Sequence, residues 1–158
     1  MIMDIGDKIT GTIKSIESYG LYIDCNDENS YLLHLTDVSW DHLSYLDLLN
    51  MFRVGDEIEA NVIMYRDNKV ALSIKSPSTA EELQNIFHQK YKLYDELELE
   101  VTSIKDYGVF FKVMEGFEGF LHYNDFKNRK FELKEVIKVK ISSLEYIDMR
   151  RISLELAD

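Results

Sequence analysis

The chain has 158 residues, 46% of them hydrophobic, with one proline and a formal net charge of −11. This is the composition of a folded globular protein rather than a disordered tail, and the acidic balance excludes a protein that coats nucleic acid through bulk positive charge. No run approaches the roughly 20 apolar residues of a membrane span, and the first residues have neither the basic nor the apolar region of a secretory leader. The lone cysteine, Cys25, can close no internal disulfide and has no cysteine neighbour for a zinc site. A reducing compartment, the cytoplasm, is therefore expected, without membrane contact and with Cys25 as a small strand residue.

Charge is unevenly spread. Residues 1–76 carry 6 Lys and Arg against 13 Asp and Glu, residues 77–93 carry 2 against 2, and residues 94–158 carry 10 against 14. Attraction to phosphate must be local, and most cations lie in the last segment.

Taken in chain order, β-rich runs fall at about residues 8–17, 21–24, 31–35, 57–65 and 69–75, separated by turn residues, which is the rhythm of a small barrel. Gly20 sits at a bend between the first two, where a missing Cβ permits a positive φ or a tight strand coil. Residues 40–52 predict a short helix with Leu43, Leu46, Leu49 and Met51 or Phe52 available for burial, and Trp40 packing against it. Residues 77–93 predict a second helix, opened by Pro77 and by Thr79 with Glu82 three residues on, a capping box. Its Leu83, Ile86, Phe87, Lys90, Tyr91 and Tyr94 form a largely apolar stripe, so the connection is a packed helix and not a flexible tether.

The strand pattern then repeats. Ser-Ile-Glu-Ser-Tyr-Gly-Leu-Tyr-Ile at 15–23 aligns with Ser-Ile-Lys-Asp-Tyr-Gly-Val-Phe-Phe at 103–111, an offset of 88 that also carries Leu33-His34 onto Leu121-His122 and Asp37 onto Asp125. Later the offset is 82, with Val70-Ala71-Leu72-Ser73 on Ile152-Ser153-Leu154-Glu155. The second copy is thus six residues shorter on balance, and the segment of the short helix is where the loss is expected.

These pieces resemble the RNA-binding domain family named after ribosomal protein S1. In the first copy the resemblance is carried by Gly6-Asp7-Lys8-Ile9-Thr10-Gly11, Tyr19-Gly20-Leu21-Tyr22-Ile23, Leu32-Leu33-His34-Leu35-Thr36-Asp37-Val38-Ser39-Trp40, Val54-Gly55-Asp56-Glu57-Ile58 and Val70-Ala71-Leu72-Ser73-Ile74-Lys75. It is most like the repeats of the bacterial ribosomal protein itself. The second copy is a diverged member, keeping Tyr107-Gly108-Val109-Phe110-Phe111, Glu118-Gly119-Phe120-Leu121-His122 and Arg151-Ile152-Ser153-Leu154 but lacking the Val-Gly-Asp turn. Tyr31 stands where the family usually has glycine.

The resemblance implies an all-β chain of two tandem five-stranded antiparallel OB-fold barrels joined by an α-helix. The domains are then 1–76, a first RNA-binding domain; 77–93, a helical linker; and 94–158, a second, diverged domain. It further implies an RNA-contact surface of Tyr19, Tyr22, His34 and Lys69 in the first copy, and of Tyr107, Phe110, His122 and Arg151 in the second. An aspartate usual before the last strand has no clear counterpart, although Asp67 and Asp148 lie nearby.

Physical chemistry supports the same residue types. Side chains on a strand alternate between faces, so Leu21 and Ile23 point inward and Tyr22 outward, with Val109 and Phe111 inward and Phe110 outward. An outward aromatic offers a face on which a base can stack for about 1–3 kcal/mol. The histidines can stack or donate to sugar and phosphate, and Lys69 and Arg151 can meet the backbone. Blander roles stand beside these: Tyr19 and Tyr107 as barrel-rim residues, His34 as a partner for nearby backbone. Lys127, Arg129, Lys130, Lys134, Lys138 and Lys140 can track phosphate, but a solvated face is the more usual role of such a run.

No Gly-rich phosphate loop, Cys/His ligand cluster or nucleophile motif is present, so neither catalytic residues, metal nor cofactor is expected, and the chain reads as a non-enzyme. Two classes of function remain. One is binding of single-stranded RNA in translation or RNA turnover. The other is an acidic protein-binding adaptor or inhibitor, docking on a ribosome, an RNA enzyme or a basic toxin-like partner.

Overall fold

The computed structural model describes residues 3–148 and 150–157, and for residues 146–148 the backbone alone. The chain divides into two compact units, Met1–Ser78 and Thr79–Asp158. Each contains a closed five-stranded barrel.

The first barrel is built from β1 (Lys8–Glu17), β2 (Gly20–Asp24), β3 (Ser30–His34), β4 (Glu57–Arg66) and β5 (Lys69–Ser73), in the spatial order β1-β2-β3-β5-β4. Its seams are antiparallel except that between β3 and β5, which is parallel. Alternation places Ile13, Leu21, Ile23, Leu33, Val62, Val70 and Leu72 in the core, as the period of two requires. Tyr31 joins them: its ring is buried and its hydroxyl donates to Asp27 Oδ2 at 2.5 Å. Burial, together with that carboxylate, pushes the Tyr31 hydroxyl up to about 12. Cys25 is half-buried, and burial beside Asp27 and Asp24 pushes its thiol up to about 11.

A short helix, α1 (Tyr45–Met51), follows β3 and is opened by a complete capping box between Ser44 and Asp47. It buries Leu48, flanked by the partly buried Leu43 and Phe52, while Leu46, Leu49 and Met51 stay exposed. Of the residues expected inward, Leu43 and Phe52 are therefore partly buried, and Leu46, Leu49 and Met51 are not. Two turns of helix can present only a narrow stripe. Trp40 is half-buried, its indole N–H donating to Pro77 O at 2.7 Å with Lys75 Nζ 3.9 Å over the ring.

In the second unit α2 (Ala80–Lys90) precedes β6 (Glu96–Lys105), β7 (Gly108–Met114), β8 (Phe117–His122), β9 (Val136–Asp148) and β10 (Arg151–Leu156). Thr79 caps α2 by accepting from the Glu82 amide. Leu83, Phe87 and Tyr91 are buried; Phe87 stacks on Phe117 with ring centroids 4.1 Å apart, and the Tyr91 hydroxyl donates to Val113 O at 3.3 Å. Although α2 connects the copies in sequence, its apolar face belongs to the second core. Ile86, placed in the stripe by spacing, is exposed.

The second barrel repeats the turns of the first with other residues. Gly6 and Gly55 have φ of 97° and 98°; their counterparts are Tyr94 at 70° and Lys134 at 69°. The backbone bonds are the same: Gly6 N to Val62 O and Gly55 N to Ile13 O in one barrel, Tyr94 N to Ile141 O and Lys134 N to Val101 O in the other. The missing Val-Gly-Asp motif is thus a missing glycine, not a missing turn. The left-handed region costs a residue with a Cβ about 1–2 kcal/mol, so Tyr94 leaves the helical stripe for a strained, exposed turn. Gly55 and Lys134 are 79 positions apart, so the segment that carries α1 loses more than six residues and the β9–β10 hairpin regains part of them.

Candidate nucleic-acid interface

A bulge in β1 between Ile13 and Ser15, and its counterpart in β6 between Val101 and Ser103, shift the outward row of each barrel by one residue. Across the sheet this row reads Ser15, Tyr22, Leu32, Ala71 in the first barrel and Ser103, Phe110, Phe120, Ser153 in the second. The aromatic position is flanked by serine on β1 or β6, and the row ends on a small residue. Gly20 pairs with His34 and Gly108 with His122, which sets each histidine beside the bend. A Cβ on Gly20 would collide with Leu33 O and lie 2.9 Å from His34 Cα; one on Gly108 would enter the Phe120 ring and lie 2.6 Å from Leu121 O. Glycine is required there so that β2 can lie against β3, and β7 against β8, at the head of the face.

In the first barrel Tyr19 is 41% exposed and Tyr22 is half-buried. Their rings meet edge to face at 6.0 Å and their hydroxyls are hydrogen bonded at 2.9 Å, a contact that raises the Tyr19 hydroxyl above its ordinary value. His34 opens a 3-10 turn (Leu35–Asp37) and accepts from the Thr36 amide through Nδ1 at 3.2 Å. His122 opens the matching turn (Tyr123–Asp125) and accepts from the Asn124 amide at 3.1 Å. With Nδ1 as acceptor, a neutral ring carries its proton on Nε2, so each histidine satisfies backbone on one side and keeps a donor on the other. Lys69 is exposed, pairs in register with Ser30, and has no ion pair among the described residues.

The second barrel gathers its residues more tightly. Tyr107 is 52% exposed and meets Phe110 edge to face at 6.0 Å. Phe110 lies on the outer face as alternation requires, yet it is only 6% exposed. Phe120 packs against it at 4.9 Å and the Arg151 guanidinium lies over it at 4.7 Å. An open ring was expected, and a covered one is found. Arg151 is itself held by Glu118, its register partner, with Nε donating to Oε1 at 2.8 Å and Nη2 at 2.8 Å from the same oxygen.

The dense cationic run is partly neutralised: Arg129 pairs with Glu135 at 3.3 Å and Lys138 with Glu96 at 3.6 Å. That matches the solvated-face role more closely than a phosphate track. Asp67 lies in the β4–β5 turn at φ 57°; the side chain of Asp148 lies outside the described residues. Among the described residues no group of three His, Cys, Asp or Glu is placed to hold a metal ion, and no helix is long and apolar enough to cross a membrane.

Two residues on this face escaped the sequence reading, Phe120 and Tyr123. Phe120 bridges Phe110 and His122, at 4.9 and 6.1 Å, and Tyr123 lies 4.5 Å from His122 with 52% exposure. The offset of 88 sets them on Leu32 and Leu35, so a comparison of the copies position by position finds them.

Closed five-stranded barrels in this order, with rings and a histidine on the face of the second and third strands, form the class of OB-fold barrels. Residues 3–75 match the S1 RNA binding domain, so the first barrel is a member of that family. It is 33% identical to the small ribosomal subunit protein bS1 of Coxiella burnetii over 157 residues, covering 94% of this chain and 28% of that protein. The bS1 protein of Streptococcus pneumoniae is 28% identical over 96% of this chain and 39% of its own length. A 4-hydroxy-3-methylbut-2-enyl diphosphate reductase of Fusobacterium nucleatum is 27% identical over 92% of this chain, which spans 18% of that enzyme. The chain therefore spans well under half of each relative, and in each case the match runs through both barrels.

Proposed function

We propose that the chain is a non-catalytic protein that binds single-stranded RNA through the outer aromatic faces of its two barrels, in translation or RNA turnover. The observation that carries this reading is the repetition, in both barrels, of a tyrosine before the bend glycine, an edge-to-face ring on the next outward position and a histidine with Nε2 left to donate. Such a face grips bases by stacking and needs few cations, which an acidic chain can supply only locally. The names of two of these relatives, small ribosomal subunit proteins, and the S1 RNA binding domain matched over residues 3–75 support the same reading. The contact surface is then built from Tyr19, Tyr22, His34 and Lys69, and from Tyr107, Phe110, His122 and Arg151, with Phe110 lying beneath Arg151. The binding domains are 1–76 and 94–158, with 77–93 between them.

A protein-docking role is the second reading. It is favoured by the net charge of −11 and by the exposed Tyr45, Leu46, Leu49 and Met51 of α1, outside its buried Leu48. Titration of a labelled single-stranded RNA against a duplex of the same sequence separates the two. The RNA reading predicts preference for the single strand and a shallow salt dependence, about 0.7 per phosphate neutralised. Failure to bind single-stranded RNA at low salt, with a protein partner retained after nuclease treatment, would favour the second.

A further inference from the structure

The two platforms differ in which rings a base can reach. In the first barrel Tyr19 and Tyr22 are the ring pair, and the neighbouring positions are Leu32 and Leu35. In the second barrel the rings continue: Phe110 to Phe120 at 4.9 Å, Phe120 to His122 at 6.1 Å, and His122 to Tyr123 at 4.5 Å with 33° between the planes. Phe110 is covered by Arg151, whereas Tyr107 and Tyr123 are each 52% exposed. The Tyr123 amide donates to Tyr107 O at 3.1 Å, which fixes the backbones of the two exposed tyrosines side by side.

We propose that Tyr123 is a base-stacking position of the second barrel with no counterpart in the first, so that bases are held there on Tyr107 and Tyr123 while Phe110 and Phe120 support them from beneath. Three features carry this. Tyr123 is half exposed and its ring already lies 4.5 Å from that of His122, so a base that stacks on it extends an existing aromatic contact. His122 is fixed by the Asn124 amide, so the ring beneath Tyr123 is pre-positioned. Finally, Leu35 holds the same backbone place in the first barrel, its amide donating to Tyr19 O at 2.9 Å, so the scaffold is common and only the side chain differs.

The inference rests on the RNA-binding reading, and its test keeps the two apart. The full chain and its Tyr123→Leu, Tyr123→Phe and Leu35→Tyr variants are titrated with a single-stranded oligonucleotide of mixed sequence, and their thermal midpoints are recorded alongside. Tyr123→Leu installs the residue of the first barrel and is expected to weaken binding by about fivefold or more, the low end of one lost base stack. Its midpoint should stay near that of the wild type. Tyr123→Phe should retain wild-type affinity, and Leu35→Tyr should tighten binding. Equal affinity of Tyr123→Leu and the wild type would overturn the inference and leave RNA binding standing. Loss in Tyr123→Phe as large as in Tyr123→Leu would also overturn it, by assigning the contact to the hydroxyl. Absence of RNA binding by the wild type would remove both readings together.

Discussion

Phe87→Ala is expected to destabilise the second unit by about 3–5 kcal/mol, the usual cost of emptying a buried aromatic site. Phe87 is fully buried, stacked on Phe117 at 4.1 Å and 16°, and 5.1 Å from the Tyr91 ring. An eleven-residue helix such as α2 has little stability of its own in water and is held by the face it buries. A unit of this size has small reserves, since small domains remove proportionally less surface from water. Hydrogen exchange read by mass spectrometry should show β6–β10 losing protection, with the loss concentrated in that unit, and Phe87→Leu should recover part of it. Unchanged protection of β6–β10 in Phe87→Ala would mean that α2 is not part of the second core.

Glu118→Ser is expected to strengthen RNA binding, by about fivefold at low salt, the worth of a partly exposed ion pair. Glu118 already occupies the guanidinium that a phosphate would seek, and that guanidinium lies over Phe110. A phosphate reaching Arg151 must displace the carboxylate, so the second barrel's main cation is already committed. At the matching place the first barrel has Ser30 in register with Lys69. The reverse exchange, Ser30→Glu, should therefore weaken binding by a similar factor. Titration of both variants against the same oligonucleotide checks the pair. Weaker binding by Glu118→Ser would show that the carboxylate positions Arg151 for RNA and does not compete for it.

The barrels were legible because alternation is a local property and the copies repeat it at a fixed offset. Leu21, Ile23, Val109 and Phe111 fall in their cores as a period of two demands. What failed depended on contacts distant in sequence. The buried face of α1 is set by the core beneath, so Leu48 went in beside Leu43 and Phe52 while Leu46, Leu49 and Met51, also expected inward, stayed out. Tyr94 fitted a helical stripe by spacing, but the start of β6 needs a left-handed residue there. Alternation gave the outward direction of Phe110 and could not give its cover, because Phe120 reaches it from β8 and Arg151 from β10, one strand further on. The concentration of cations in the second copy also changes meaning once Arg151, Arg129 and Lys138 are seen paired with carboxylates.

Photocrosslinking places the bound strand directly. A 4-thiouridine-substituted single-stranded RNA is irradiated on the full chain and the crosslinked peptides are mapped by mass spectrometry. Crosslinks at Tyr19 and Tyr22, and at Tyr107, His122 and Tyr123, are the predicted result. Crosslinks confined to residues 127–140, or to α1, would contradict binding by the aromatic faces.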